Sequence, residues 1–227
     1  MISIIIPILN EADFLSATLS HVQANSIKHE MVLVDGGSTD ATLEIAKSAG
    51  AHVVISPQCQ RAAQMNLGAQ HAHGEIFLFL HADTLLAPTA LEQIEKVLAD
   101  PRVVGGAFVR RYDSSSLFLQ ATCYLAELRS RWFGWQLGDQ AMFVRAESFV
   151  QLGGFRDMDL FEDLDFSRRL NRLGKIITLK PPIISSARRF KKRGIFTTTL
   201  SDFLLTLRYM LGEDPHKLAA TLQKKSS

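Results

Sequence analysis

The chain has 227 residues, 47% hydrophobic and 21% charged, with a net charge of +2. That is room for one domain with a sizeable core, and so small a basic excess argues against a dedicated nucleic-acid binder. Two cysteines, Cys59 and Cys123, exclude a disulfide framework and read as small buried hydrophobes.

In chain order, strands are expected at Ile2–Ile8, Met31–Asp35, His52–Ser56 and Glu75–Leu80, short apolar runs rich in branched residues with abrupt polar ends. Helical stripes lie between them. Leu15, Leu19 and Val22 repeat at steps of four and three. Leu43 and Ala46 do likewise before Gly50 ends that helix, with Asp40 placed to cap its start. Residues 60–72 form a third helix with Ala63, Leu67 and Gln70 on one side. Strand and helix in alternation imply a doubly wound, mostly parallel sheet with right-handed crossovers.

The second half is less regular. Residues 103–110 read as a strand, 115–130 as a helix, 132–135 as an aromatic loop and 141–144 as a short strand. A helix over 163–173 follows, then a strand over 175–179 that stops before Pro181-Pro182, and an apolar helix over 196–211 closes the chain. No repeat or linker interrupts this order, so one domain is expected over 1–227.

Ligands of open α/β sheets sit beyond the carboxyl ends of the strands. The first strand ends in Asn10-Glu11, the second in Asp35-Gly36-Gly37-Ser38-Thr39-Asp40, and the fourth in His81-Ala82-Asp83. Acidic, small-residue turns at one edge suggest a single nucleotide-sized site. Asp83 suits Mg²⁺ or Mn²⁺ bridging a diphosphate, although a lone aspartate after a strand also serves as a cap. Arg61 opens a helix facing that cleft, where it either holds a phosphate or pairs with a surface acid.

On a helix, Asp163 shares its face with Phe166, Leu170 and Leu173, whereas Asp165, Arg168, Arg169 and Arg172 fall elsewhere and read as solvated. An inward first-turn carboxylate is stabilised by the helix dipole but is costly unless it caps, pairs or reacts. Gly138-Asp139-Gln140 alone reads as a turn. The basic run 188–193 is either a solvated face or a hold for a leaving diphosphate. There is no GxGxxG after the first strand, no P-loop and no GxSxG elbow.

Pro7-x-x-Asn10-Glu11, Val34-Asp35-Gly36-Gly37-Ser38-Thr39-Asp40, Arg61 with Asn66-x-Gly68-Ala69, and His81-Ala82-Asp83 together resemble glycosyltransferase family 2. Gly153-Gly154-Phe155 followed by Glu162-Asp163 and Arg169 resembles the acceptor half of that family, in the expected order. Gly138-Asp139-Gln140 and Ser186-Ala187-Arg188-Arg189 are similar to a subgroup of short bacterial members.

The resemblance implies a GT-A fold, with residues 1–100 binding a nucleotide diphosphate sugar and 101–227 an acceptor hydroxyl. Pro7, Asn10, Glu11, Asp35, Gly37, Ser38, Asp40, Arg61, Asn66, His81, Ala82, Arg188 and Arg189 would line the substrates, Asp35 favouring uridine. Asp83 would hold a divalent metal. Asp163 would act as general base in an inverting displacement, with Glu162 and Asp139 beside it. His81 stands where the family's metal motif usually begins with aspartate.

Two other functions compete with this one. A nucleotidyltransferase wants a Gly-rich basic loop after the first strand, which Pro7–Glu11 lacks. A non-catalytic sugar-nucleotide sensor is encouraged only by His81. The N-terminus has no basic n-region and no run is long enough to span a bilayer, so a soluble cytoplasmic protein is expected. Weak peripheral membrane contact through 188–193 and the helix 196–211 is the alternative to a C-terminal helix packed into the core.

Overall fold

The isoleucine-rich first strand sits deep in the sheet because it has no polar face. In the computed structural model, which describes residues 1–224, Ile2, Ile4, Ile6 and Ile8 of β1 (Ile2–Ile8) pack on one side and Ile5 on the other. The chain then runs α1 (Ala12–Gln23), β2 (His29–Asp35), α2 (Thr42–Ser48), β3 (His52–Ile55), α3 (Arg61–Gln70) and β4 (Ile76–Phe79). β5 (Thr84–Leu85), α4 (Ala90–Leu98), β6 (Val103–Tyr112) and α5 (Leu117–Phe133) follow. A 3₁₀ turn (Gly138–Gln140), β7 (Met142–Arg145), α6 (Ala146–Gln151), α7 (Glu162–Leu173) and β8 (Lys175–Ser185) lead to α8 (Arg188–Arg193), α9 (Ile195–Met210) and α10 (Pro215–Lys224).

The strands form one sheet in the order β3-β2-β1-β4-β7-β6-β8-β5. β1 pairs in parallel with β2 and β4, as β2 does with β3 and β6 with β8, while β7 and β5 run antiparallel to their neighbours. Such a mixed sheet, flanked by helices, is the GT-A arrangement. Below it Leu15, Leu19, Leu91 and Ile94 fill one core, and above it Met65, Phe77, Phe79, Phe149, Phe155 and Phe166 fill another.

Several expectations need correction. α3 buries Ala62, Gln64, Met65 and Gly68, not the side carrying Ala63, Leu67 and Gln70. Gly68 decides this face, since a Cβ there would lie 2.5 Å from Ile5 and 3.0 Å from Val34. The last long strand does not stop at Pro181-Pro182 but continues to Ser185. Its register against β6 shifts between Phe108 and Arg110, so the prolines fall where the ladder is already broken and no amide donor is missed. Trp132 and Phe133 belong to the end of α5 rather than to a loop, and Cys59 is exposed while Cys123 is buried. The basic run is itself a short helix, α8.

Asp165 and Arg169 are not solvated. Asp165 accepts from Arg169 Nε at 2.7 Å and from Arg156 Nη1 at 3.1 Å, and Arg169 also donates to the carbonyls of Leu152 and Gly154, both at 2.8 Å. Helical periodicity assigned these residues to water because it cannot see that the 152–154 turn packs over that side of α7. An i,i+4 acid–base pair whose remaining donors are satisfied by carbonyls is the form in which such charges are tolerated inside.

Candidate active site

Topology collects the carboxylates at one edge. β1, β2 and β4 are adjacent and parallel, so the residues after each, Glu11, Asp35 and His81–Asp83, emerge side by side. β7 runs the other way with Met142 opposite Phe79, which brings the 3₁₀ turn at its start to the same edge. β6 and β8 run in parallel with Tyr112 opposite Ser185, so Arg188 arrives there too.

The first two loops are laced together. Asp35 is buried, and its carboxylate accepts from Gly37 N at 2.9 Å, Ser38 N at 3.0 Å and Ser38 Oγ at 2.5 Å. Ser38 Oγ in turn accepts from Asn10 N at 3.0 Å, and Asn10 Oδ1 accepts from Thr39 N at 2.8 Å. Asp40 accepts from Thr42 N at 3.0 Å and Ala12 N at 3.3 Å, joining the starts of α2 and α1. Pro7 lies opposite Val34 within the ladder, and Gly37 takes φ of 102°, open to it without a Cβ. Gln64, a residue the sequence reading passed over, donates to the carbonyls of Ile8 at 3.0 Å and Val34 at 2.7 Å and so holds the two strand ends at fixed spacing.

Arg188 bridges the middle of the edge. Its guanidinium donates to both Glu11 oxygens at 2.5 and 2.7 Å, and its Nε lies 3.1 Å from Asp83 Oδ2. Burial raises the Asp83 pKa, while Arg188 opposes that rise. Ala82 is buried, its carbonyl accepting from Thr18 Oγ1 at 2.7 Å. Arg189 turns away to pair with Asp202 of α9. Asn66 grips the Phe155 backbone from both sides, at 2.8 and 2.9 Å, and so fastens the Gly153-Gly154-Phe155 turn to α3.

The other side is built on α7. Asp163 Oδ2 accepts from Gly138 N at 2.5 Å and Oδ1 from Leu164 N at 2.6 Å, one and two turns before the fully buried Phe166 and Leu170. Gly138 is closely hemmed in, since a Cβ would lie 3.1 Å from both Asp163 Oδ2 and His81 Nε2 and would need those side chains to give way. His81 and Asp163 therefore face each other across this glycine. His81 Nε2 and Asp139 Oδ1 are buried with no hydrogen-bond partner among the described residues. Burial holds the His81 pKa down to about 3, aided by Arg61, so the ring is neutral with an acceptor available.

Asp139 is ion-paired to Arg110, a second residue that sequence reasoning missed. Burial alone would raise the Asp139 pKa, but the Arg110 guanidinium brings it below the ordinary value. A charged residue inside the apolar strand GGAFVRRY was the available signal for Arg110.

Glu162 is buried with Arg61 Nη1 at 4.0 Å, and burial followed by the adjacent Asp163 raises its pKa. Burial raises that of Asp163 as well. A carboxylate whose pKa rises on folding favours the native state most when protonated, so this part of stability is lost as pH climbs from the unfolded pKa through the raised one. Glu162→Gln is therefore expected to raise the melting temperature at neutral pH and leave it unchanged below the ordinary carboxylate range. Equal shifts at both pH values would show that the charge is not the cause.

Among the described residues, no three His, Cys, Asp or Glu side chains converge to hold a cation. Asp83 still fits a hard divalent ion, which proteins commonly hold through one or two carboxylates while substrate phosphates supply the rest. That arrangement needs Arg188 to turn from Asp83 Oδ2 towards the diphosphate.

Residues 3–156 match the model of glycosyl transferase family 2. The chain is 34% identical over 187 residues to a PGL/p-HBAD biosynthesis glycosyltransferase of Mycobacterium bovis, covering 74% of this chain and 69% of that protein. It is 27% identical over 156 residues to an undecaprenyl-phosphate 4-deoxy-4-formamido-L-arabinose transferase of Shewanella sediminis, covering 64% of this chain and 47% of that one.

Among solved structures, a mannosyltransferase of Pyrobaculum calidifontis in complex with GDP-Man and Mn²⁺ superposes with a TM-score of 0.71 at 23% identity, over 94% of this chain and 65% of that one. S. aureus TarS in complex with UDP gives 0.66 at 17% identity, over 82% of this chain and 60% of that one. At such identities these two likenesses carry the fold alone. With the family model spanning most of the chain and the carboxylate edge assembled as described, the protein is a glycosyltransferase and belongs to glycosyl transferase family 2.

Proposed function

We propose that the enzyme moves a sugar from a UDP-linked donor to an acceptor hydroxyl with inversion, in one displacement. One observation carries this reading: Glu11, Asp35 and Asp83 stand on adjacent strand ends while Gly138 holds Asp163 across from His81. The acceptor oxygen attacks the anomeric carbon from the side opposite the diphosphate. The bond from that carbon to the diphosphate oxygen breaks, the electron pair leaves with the diphosphate, and the acceptor proton passes to Asp163. Its raised pKa brings this carboxylate closer to the proton it must take.

Asp83 would hold Mg²⁺ or Mn²⁺, which supplies charge neutralisation of the leaving diphosphate. Arg61, 54% exposed at the start of α3, and Arg188 face the same charge. His81 Nε2 and Asp139 Oδ1, unpartnered among the described residues, are placed to accept hydrogen bonds from hydroxyl groups of the bound substrates. Thermal shift over a panel of sugar nucleotides, with and without Mn²⁺, tests the donor class, since ligand far above its Kd stabilises by a few kcal/mol.

Asp35 keeps little acceptor capacity beyond Gly37 and Ser38, enough for the ring N–H of uracil, which cytosine lacks. UDP is expected to bind more tightly than CDP, and Asp35→Ala to narrow the gap while lowering the melting temperature. Equal affinities by calorimetry would mean the base is not read here.

A further inference from the structure

Helix α9 is amphipathic in the wrong sense for a core helix. Its buried side chains are Thr198 and Leu205, while Phe196, Leu200, Phe203, Leu207 and Leu211 recur at steps of four and three on the exposed side. The expectation that this helix packs into the core is thereby overturned. The exposed stripe does not stop at its own helix. Phe196 meets Phe118 of α5 at 4.6 Å between ring centroids, and α5 presents Leu125 at 63% and Trp132 at 72% exposure. Apolar area of this extent on a soluble fold marks a contact surface.

Cations predominate around it. Glu127 is buried against Arg111 and Arg131, Asp202 pairs with Arg189, and Asp113 lies 3.6 Å from Lys191, while Lys192 beside them is exposed. Lys191 and Lys192 are exposed on α8, at the start of the α9 stripe, and Arg131 is 46% exposed beside Trp132. A second copy docking face to face would set these cations against their equivalents. An anionic lipid surface complements them, and a tryptophan among leucines and phenylalanines suits the boundary between headgroup and acyl chain. No helix among the described residues is long and apolar enough to cross a membrane.

We propose that the joined α5–α9 face, rimmed by Lys191, Lys192 and Arg131, docks this protein onto an anionic bilayer, lying on it rather than spanning it. The face adjoins the site at both ends. Arg188 of α8 touches Glu11 and Asp83, and Tyr209 of α9 stacks on Phe161, the residue before Glu162, at 4.7 Å. Docking therefore sets the carboxylate edge beside the lipid surface.

Flotation of the full chain with phosphatidylcholine vesicles, with and without phosphatidylglycerol, tests this. The protein is expected to float with the anionic vesicles at low salt and to stay behind with phosphatidylcholine alone. The paired change Lys191→Gln/Lys192→Gln should lower partitioning by about tenfold. Leu125→Glu and Phe203→Glu, both at exposed positions, should abolish flotation with the melting temperature kept. Two results overturn the proposal: flotation that survives both glutamate variants, or a wild-type chain that never floats. In the latter case, a dimer by light scattering that Phe203→Glu makes monomeric would assign the face to a second copy.

Discussion

Asp163→Asn is expected to lower turnover by about 10²–10⁴-fold, the usual worth of a general base, with donor affinity and melting temperature near wild type. The amide keeps the shape and one acceptor oxygen, which serves either the Gly138 or the Leu164 N–H, but it cannot take the acceptor proton. Single-turnover measurement with saturating donor separates this loss from binding. Because burial raises the Asp163 pKa, the acid limb of the wild-type rate should lie above the ordinary carboxylate range and disappear in the variant.

Asp165→Asn provides the contrast. It breaks the pairing with Arg169 and Arg156 and so should lower the melting temperature, while turnover per folded molecule stays within a few-fold. If instead the Asp163 variant turns over normally and Glu162→Gln or Asp139→Asn is dead, the base is one of those neighbours.

Asp83→Ala is expected to cost two or more orders of magnitude in transfer. The diphosphate would lose the carboxylate that anchors its counter-charge, and Arg188 would keep only Glu11 as a partner. Arg188→Ala should also impair transfer, but by weakening donor binding. His81→Asp, which adds a second acid to this loop, should preserve or heighten metal dependence. Activity unchanged by a chelator would remove Asp83 from the metal and leave Arg188 and Arg61 as the charges facing the leaving group.

The strands and most helices were legible because their signals are local. An apolar run ending in Asn10-Glu11 or in Asp35-Gly36 specifies a buried strand and its outlet wherever it sits, and parallel pairing then obliges Glu11, Asp35 and Asp83 to share an edge. The stripe of Asp163, Phe166 and Leu170 was legible for the same reason, since a helix repeats within a few residues of itself.

The remaining features depended on partners distant in sequence. Asp165 and Arg169 lie on what periodicity marks as the wet side of α7, and only the turn at 152–154 makes that side an interior. Arg110 is one of two adjacent arginines at the end of a strand, and only the antiparallel β7 brings Asp139 to it. Arg188 arrives beside Glu11 across a sequence separation of 177 residues.

α9 is the sharpest case. Its composition specifies an amphipathic helix but not which face meets the protein, because burial is settled by whatever surface lies opposite. Here that surface receives Thr198 and Leu205. By itself the sequence determined the elements, the mostly parallel sheet and the acids at its edge, all properties of short segments. Tertiary structure decided which charges are paired, which glycine leaves room for Asp163 and His81, and which apolar face is left uncovered, because each of these depends on what long-range packing sets against it.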